Sequence, residues 1–188
     1  MTQAVLTLND TNEISQNEAA MTLFQVLGGS LLIALCAQIK IPLFFTPVPL
    51  SLQTLAVMIV AGFLGRKKGT LCVVTYLAQL SMGLPVGAGG AANSLALLGP
   101  TGGYLIGFVL QAYLVGWCAE KKEDLSPLKM FSALFSISFI QMGMGALWLG
   151  LYVGFENAMM MGFTPFIPGD FLKVLAATTF IAKSHSAE

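Results

Sequence analysis

Charge is scarce in this chain. Its 188 residues include nine Lys and Arg and nine Asp and Glu, so 10% are charged and the formal net charge is zero. A soluble globular domain carries roughly 25% charged residues. This scarcity argues against a soluble catalytic module, and the lack of a basic excess argues against a nucleic-acid partner. The sequence therefore predicts an integral membrane protein with the lipid bilayer as its surroundings.

Residues that bind metals or perform covalent catalysis are equally rare. The three cysteines, Cys36, Cys72 and Cys118, are far apart in apolar stretches and form no CxxC pair. The single histidine, His185, lies in the C-terminal tail. We therefore expect no metal site, no cofactor and no catalytic residue. The chain also lacks a GxxxxGK[ST] motif, so it carries no ATPase motif of its own.

The N-terminus lacks basic residues. Residues 1–20 are polar and include Asp10, Glu13 and Glu18 but neither Lys nor Arg. A secretory signal requires a positively charged start, so this segment is not one. We expect residues 1–20 to form a polar cytoplasmic tail, disordered or lying on the surface, and residues 21–185 to form a single membrane domain.

Long apolar stretches are what the sequence does have. A spanning helix needs roughly 20 largely apolar residues, and fewer where the bilayer thins. The predicted fold class is an all-α integral membrane protein with six transmembrane helices. We place them at residues 22–41, 50–65, 69–84, 102–119, 127–154 and 169–183.

The basic residues predict the orientation of these helices. Only Lys40 and Lys173 fall on one side, and the remaining seven of the nine fall on the other. The positive-inside rule makes the richer side cytoplasmic, which with six spans puts both termini in the cytoplasm. Those seven are Arg66, Lys67, Lys68, Lys121, Lys122, Lys129 and Lys183.

The three outer connections are apolar and rich in Gly and Pro. They cover residues 42–49, 83–104 and 155–168. Irregular apolar backbone near a membrane is tolerated where it is buried in protein or lines a cavity. We therefore predict apolar lid loops over a pocket on the extracellular face, with three ordinary surface loops as the alternative.

The first two outer loops carry side chains that suit a ligand. Prolines stiffen the first loop, which presents Phe44, Phe45 and Thr46 as a cover for an apolar molecule; the same prolines also simply end a helix. Asn93 and Tyr104, in the glycine-dense second loop, either bind a small polar group or satisfy loop backbone. Among the glutamines near the spans, Gln53 is best placed to face a pocket.

Asp170 and Lys173 are the most informative pair in the chain. They stand three residues apart at the start of the last apolar stretch. Charges inside a membrane are costly and usually serve a ligand, an ion or a proton. An acid and a base on one helical face suit a ligand with hydrogen-bond donors and a carboxylate. The alternative is that Asp170 only caps the start of the helix and pairs with Lys173.

A pattern of small residues marks the first predicted helix. Ser30 and Ala34 are four residues apart, a spacing that lets two helices approach closely. Because this helix is terminal, we predict that Ser30 and Ala34 form a surface for a partner helix. Internal packing is the alternative.

Three segments, in order, resemble the BioY family, the biotin-binding S components of energy-coupling-factor (ECF) vitamin transporters. They are QIKIPLFFTPVPLSLQTLA at 38–56, GPTGGYLIGF at 99–108 and PGDFLK at 168–173. The resemblance covers nearly all of residues 21–183. It implies a six-helix S-component fold in a bacterial cytoplasmic membrane.

The same resemblance implies how such a protein works. Biotin would be held near the extracellular face by Asp170, Lys173 and an asparagine of the glycine-rich loop, where Asn93 is the only candidate. The first helix would dock on a membrane-embedded coupling subunit that is bound to two ATPase subunits. Relatives usually carry Ala-x-x-x-Ala there, and Ser30 departs from that pattern.

Alternatives remain open at this point. An S component for another vitamin, such as riboflavin or thiamine, would share the fold. A non-transporting membrane scaffold would bind no small molecule and would tolerate Asp170→Asn. A membrane enzyme would need a nucleophile with a base beside it, and the sequence offers none.

Overall fold

A computed structural model describes the backbone of residues 2–121 and 126–185 and the side chains of residues 16–121 and 126–184. Lys122, placed in the predicted cytoplasmic turn, lies outside the described residues. The helices are α1 (Thr2–Gln38), α2 (Gln53–Ser81), α3 (Gly102–Glu120), α4 (Pro127–Val153), α5 (Phe155–Ala158) and α6 (Ile167–His185). Two short strands, β1 (Lys40–Ile41) and β2 (Leu50–Ser51), complete the regular structure.

Helix α1 is longer than the first predicted span. It runs for 37 residues from Thr2 to Gln38 and has no break at the predicted boundary between tail and membrane domain. Its apolar part, Gln16–Gln38, is long and hydrophobic enough to cross a membrane. The polar start of the chain is therefore a helical extension of α1 in this structure.

Helix α2 reverses direction at Gly65. The backbone there has φ 76° and ψ 177°, which is far from helical. The Gln53 side chain reaches the Tyr76 hydroxyl at 2.6 Å. A straight helix would separate those two residues by about 35 Å at 1.5 Å per residue. The two halves of α2 are therefore antiparallel, and they correspond to the predicted spans 50–65 and 69–84.

With the two halves of α2 counted as one continuous element, the described chain has five long helices, whereas the sequence predicts six. The predicted spans 102–119 and 127–154 agree with α3 and α4 to within about one residue. Four segments of the described residues are long and apolar enough to cross a membrane, which makes this a multi-pass membrane protein. They are Gln16–Gln38, Gly102–Glu120, Pro127–Val153 and Phe155–Ser184.

Two of the predicted loops contain more regular structure than expected. The first is closed by β1 and β2, which pair antiparallel with Lys40 opposite Ser51 and Ile41 opposite Leu50. Most of the third is helical: α5 is followed by a π-helical turn over Met159–Phe163 and a 3-10 turn over Thr164–Phe166. The predicted all-α fold is therefore correct except for this small β-hairpin.

Ser30 and Ala34 do not form a surface. Ser30 is fully buried and Ala34 is 5% exposed. The Ser30 hydroxyl donates to the Leu27 carbonyl and receives a bond from the Gln79 side chain on α2 at 3.4 Å. The prediction of a docking surface at these two residues is therefore wrong for this arrangement, because the small side chains pack α1 against α2.

The three outer connections meet at one end of the bundle. Residues from 42–49, from 82–101 and from 154–166 all contribute to one cavity wall there. We call this end the loop face. The basic turn of α2 lies at the opposite end, where Arg66 forms an ion pair with Glu120 at 3.2 Å.

Candidate functional site

A cavity of about 220 Å³ opens at the loop face. Its wall is built from the beginnings of α2, α3 and α6, from the middle of α4 and from the glycine-rich loop between α2 and α3. Most of the lining side chains are apolar. Five of the eight predicted ligand-binding residues line it: Gln53, Asn93, Tyr104, Asp170 and Lys173.

Asp170 lies in the first turn of α6, where Pro168 favours the start of a helix. The N-terminal dipole of α6 stabilises a negative charge at this position. Asp170 is 2% exposed. Its Oδ2 atom has no partner among the described residues. An acceptor is therefore held, unsatisfied, at the edge of the cavity.

Lys173 lies one turn further along α6 on the same side of the helix. Its Nζ atom donates to the Thr54 hydroxyl on α2 at 3.0 Å. Among the described residues, the only ion pair within 4.0 Å is that of Arg66 and Glu120, so Lys173 and Asp170 are not in direct contact. The two charges therefore do not form the mutual pair that was the alternative. Both remain available to a ligand.

Gln53 belongs to a chain of hydrogen bonds that crosses the cavity wall. The Ser51 hydroxyl donates to its Oε1 at 2.9 Å, and its Nε2 donates to the Tyr76 hydroxyl. Tyr76 in turn donates to the Val86 carbonyl at 3.2 Å. This chain ties β2, both halves of α2 and the glycine-rich loop together. The prediction that Gln53 faces a pocket agrees with its position.

Tyr104 is anchored by both of its polar ends. Its hydroxyl donates to the Gly162 carbonyl at 2.6 Å, and its own carbonyl accepts from the Gln141 side chain at 3.1 Å. The ring lines the cavity while the hydroxyl holds the segment before α6. Tyr104 therefore offers a ligand an aromatic surface and no free hydroxyl proton.

Asn93 is exposed, although it lines the cavity. Its Oδ1 atom accepts from the Leu95 backbone at 3.0 Å, a local turn of the kind that asparagine often makes. This is the loop-satisfying role that the sequence left open. The role of Asn93 toward a ligand stays a prediction.

Phe44, Phe45 and Thr46 lie outside the cavity wall. The Phe44 and Phe45 rings are exposed, and the Thr46 hydroxyl accepts from the Val48 backbone at 3.2 Å. The first loop instead reaches the cavity through its end, residues 48–51. The covering role that the sequence predicts for these three side chains is therefore not seen in this arrangement and stays a prediction.

Three residues of the cavity wall were missed in the sequence. Gln141 is a polar side chain inside an apolar helix, and this was a usable signal. Thr54 and Tyr76 gave no such signal, because their partners are distant in sequence. Thr54 meets Lys173 of α6, and Tyr76 meets Gln53 across the reversal at Gly65.

This arrangement suits binding better than catalysis. An apolar cavity with a carboxylate and an ammonium group a turn apart can select a ligand that has both N–H donors and an anionic group. In the described part of the chain, no three His, Cys, Asp or Glu side chains are grouped to hold a metal ion.

Comparison with known proteins gives a consistent result. A family described as the BioY family matches residues 8–188. The "Biotin transporter BioY" of Thermotoga maritima is 42% identical over 158 residues, which cover 84% of this chain and 91% of that protein. The protein of the same name from Lactococcus lactis subsp. cremoris is 32% identical over 76% of this chain and 78% of its own.

A solved structure is also similar. The crystal structure of "the S-component for biotin from an ECF-type ABC transporter" matches with a TM-score of 0.82 and 28% identity. The match covers 90% of this chain and 93% of that chain. These relatives are named as transporters and not as enzymes, in line with the lack of a catalytic motif. The chain belongs to the BioY family.

Proposed function

We propose that this protein captures biotin at the loop face and takes it up across the cytoplasmic membrane as the S component of an ECF transporter. One observation carries the proposal: the cavity holds a buried carboxylate with an unpartnered oxygen and a separate lysine. The names of the similar proteins support biotin as the ligand.

The chemistry of the ligand matches the two charges. The ureido N–H groups of biotin donate to Asp170 or Asn93. The valerate carboxylate takes the place of solvent beside Lys173, which Thr54 holds in position. A buried charge left without its partner is costly, so a molecule that lacks either group is rejected. The Tyr104 ring and the neighbouring apolar wall contact the bicyclic ring, and closure of the first loop would bring Phe44 and Phe45 over it.

The orientation follows from the two ends of the bundle. We propose that each half of α2 crosses the membrane, which gives six spans. The loop face then lies outside and both termini lie in the cytoplasm. The shorter half, residues 53–64, requires a locally thin bilayer or shielding by its neighbours.

Energy must come from other subunits. The sequence has no ATP-binding motif, so we propose that a membrane-embedded coupling subunit and two ATPase subunits drive transport. The side of α1 that points away from the bundle is available to the coupling subunit. It exposes Leu27, Gly28, Leu31 and Leu35, and no atom lies within 4 Å of a Cβ built on Gly28.

Uptake of labelled biotin tests this function. Biotin-auxotrophic bacteria that express the protein with a coupling subunit and ATPases are expected to accumulate biotin, and cells that express Asp170→Asn are not. Excess riboflavin and thiamine serve as competitors. Competition by either vitamin, or equal uptake by the Asp170→Asn cells, would point to another ligand or to a scaffold.

A further inference from the structure

Gln141 on α4 is a polar side chain of the cavity wall to which the proposed function gives no role. It is 1% exposed and lines the cavity. Its Nε2 atom donates to the Tyr104 carbonyl on α3 at 3.1 Å. Its Oε1 atom has no hydrogen-bond partner among the described residues. A buried polar group without a partner is costly, so such a group usually receives its partner from outside the chain.

The orientation of the Gln141 amide follows from its bond to Tyr104. An amide nitrogen can only donate, and an amide oxygen can only accept. If the two atoms were exchanged, Oε1 would face the Tyr104 carbonyl oxygen, and two acceptors repel each other. The bond to α3 therefore fixes Oε1 as the end of the amide that is left for a ligand.

Its place in the wall separates Gln141 from other buried polar groups. Four buried side-chain atoms have no partner among the described residues: Gln111 Oε1, Gln141 Oε1, Asp170 Oδ2 and Thr178 Oγ1. Of these four, only Gln141 and Asp170 belong to side chains that line the cavity. The wall thus offers two acceptors, on two different helices, to a ligand with two donors.

We propose that Oε1 of Gln141 accepts one of the two ureido N–H groups of biotin and that Asp170 accepts the other. This inference rests on the proposed function, since it assigns a further contact in the same cavity. The two N–H groups of a cyclic urea point to opposite sides of the ring, so acceptors on α4 and α6 can take one each. Asn93 is less suited to this role, because its oxygen already accepts from the Leu95 backbone at 3.0 Å.

The first test compares two glutamine variants that differ in position. Gln141→Met keeps the length of the side chain and removes the acceptor, so biotin binding is expected to weaken about threefold to tenfold, as for loss of a neutral hydrogen bond. Gln111→Met makes the same change at a fully buried glutamine of α3 that does not line the cavity, and biotin affinity is expected to stay nearly unchanged. Isothermal titration in detergent measures both. Equal affinities of the two variants for biotin would overturn the proposal.

Two biotin analogues separate contact with the ligand from packing of the wall. In each analogue, one of the ureido N–H groups is replaced by CH2. The wild-type protein is expected to bind both more weakly than biotin, because each lacks a donor that one acceptor requires. For one of the two analogues, Gln141→Met is expected to cause no further loss of affinity, because the contact is already missing. If Gln141→Met weakens biotin and both analogues by the same factor, its effect is on packing, and the proposal is overturned.

The outcomes distinguish this inference from the proposed function. If the wild-type protein binds no biotin, the proposed function itself fails. If the wild-type protein binds biotin and binds either analogue equally well, one N–H group has no acceptor in the site, and only the role of Gln141 is overturned. This last measurement needs no variant, so the inference can fail even where Gln141→Met does not fold.

Discussion

At the scale of single residues, the two charges of α6 have different surroundings, and this separates their roles. Asp170 is nearly inaccessible and keeps one unpartnered oxygen, whereas Lys173 is half-buried and its ammonium group donates to a neutral hydroxyl. Since they do not form an ion pair, replacing one does not leave the other without its contact partner. Each variant therefore reports on its own contact with the ligand.

The carboxylate end of biotin tests the role of Lys173. Lys173→Met is expected to weaken biotin binding at least about thirtyfold, which corresponds to roughly the 2 kcal/mol of a hydrogen bond to a charged group. Biotin amide has no negative charge, so its binding should be weakened much less. Isothermal titration of both ligands measures the difference. Lys183→Met, at the exposed far end of α6, is the control. Equal weakening of both ligands would remove Lys173 from the carboxylate site.

At the scale of elements, the reversal of α2 does most to assemble the site. It brings Tyr76 next to Gln53 and leaves Thr54 facing α6. Gly65 makes the reversal possible, because a conformation with φ 76° and ψ 177° is open to almost no other residue. A Cβ at this position would also approach the Glu120 carboxylate to 2.8 Å.

Gly65→Ala is therefore expected to destabilise the protein by about 1–3 kcal/mol. Gly143→Ala is a matched control, since Gly143 lies inside α4 and a Cβ there meets no atom within 4 Å. That control is expected to be neutral or to stabilise by about 0.5–1 kcal/mol. Thermal unfolding in detergent, followed by size-exclusion chromatography of the surviving fraction, measures both. Equal melting of the two variants would contradict the account of the reversal.

The hydrogen-bond chain through Tyr76 makes a second prediction at this scale. Tyr76→Phe breaks the bonds to Gln53 and Val86 and leaves the buried Gln53 amide without an acceptor, which costs about 1–3 kcal/mol of stability. Biotin affinity should fall too, since the glycine-rich loop loses its tether. Tyr113→Phe, on the exposed side of α3, is the control and should change neither. An unaltered melting temperature for Tyr76→Phe would show that the chain is not stabilising.

At the scale of the whole molecule, hydropathy predicted α3 and α4 well, since each is a long apolar helix between polar or Gly-rich ends. It predicted two helices at residues 50–84, and the structure has them as the two antiparallel halves of α2, joined at Gly65 without an intervening loop. Hydropathy also missed the helical turns before α6, because Gly162 and Pro165 are typical of loops.

The candidate site could also be predicted only in part from the sequence. Asp170, Lys173 and Gln53 were found because a polar group in an apolar segment is rare and therefore informative. Ser30 and Ala34 were misjudged because spacing alone does not tell which neighbour a small-residue face packs against. Thr54 and Tyr76 depend on contacts between distant segments, which a single sequence does not reveal.

The predicted orientation can be tested by labelling. In a variant without the three native cysteines, Ala92→Cys in the glycine-rich loop is expected to react with a membrane-impermeant maleimide added to intact cells. Lys67→Cys, in the basic turn of α2, is expected to react only after the membrane is opened. Both positions are exposed, so access to the reagent is not limited by burial. The reverse pattern would place the loop face in the cytoplasm.

The central claim is that the cavity at the loop face binds biotin through two separate charges of α6. Calorimetric titration of the purified protein with biotin, beside Asp170→Asn and Lys173→Met, tests this most directly. Tight binding by the wild-type protein that is strongly weakened in both variants is the predicted result, with Lys183→Met binding as the wild type does. Absence of binding by the folded wild-type protein, or undiminished binding by both charge variants, would contradict the account.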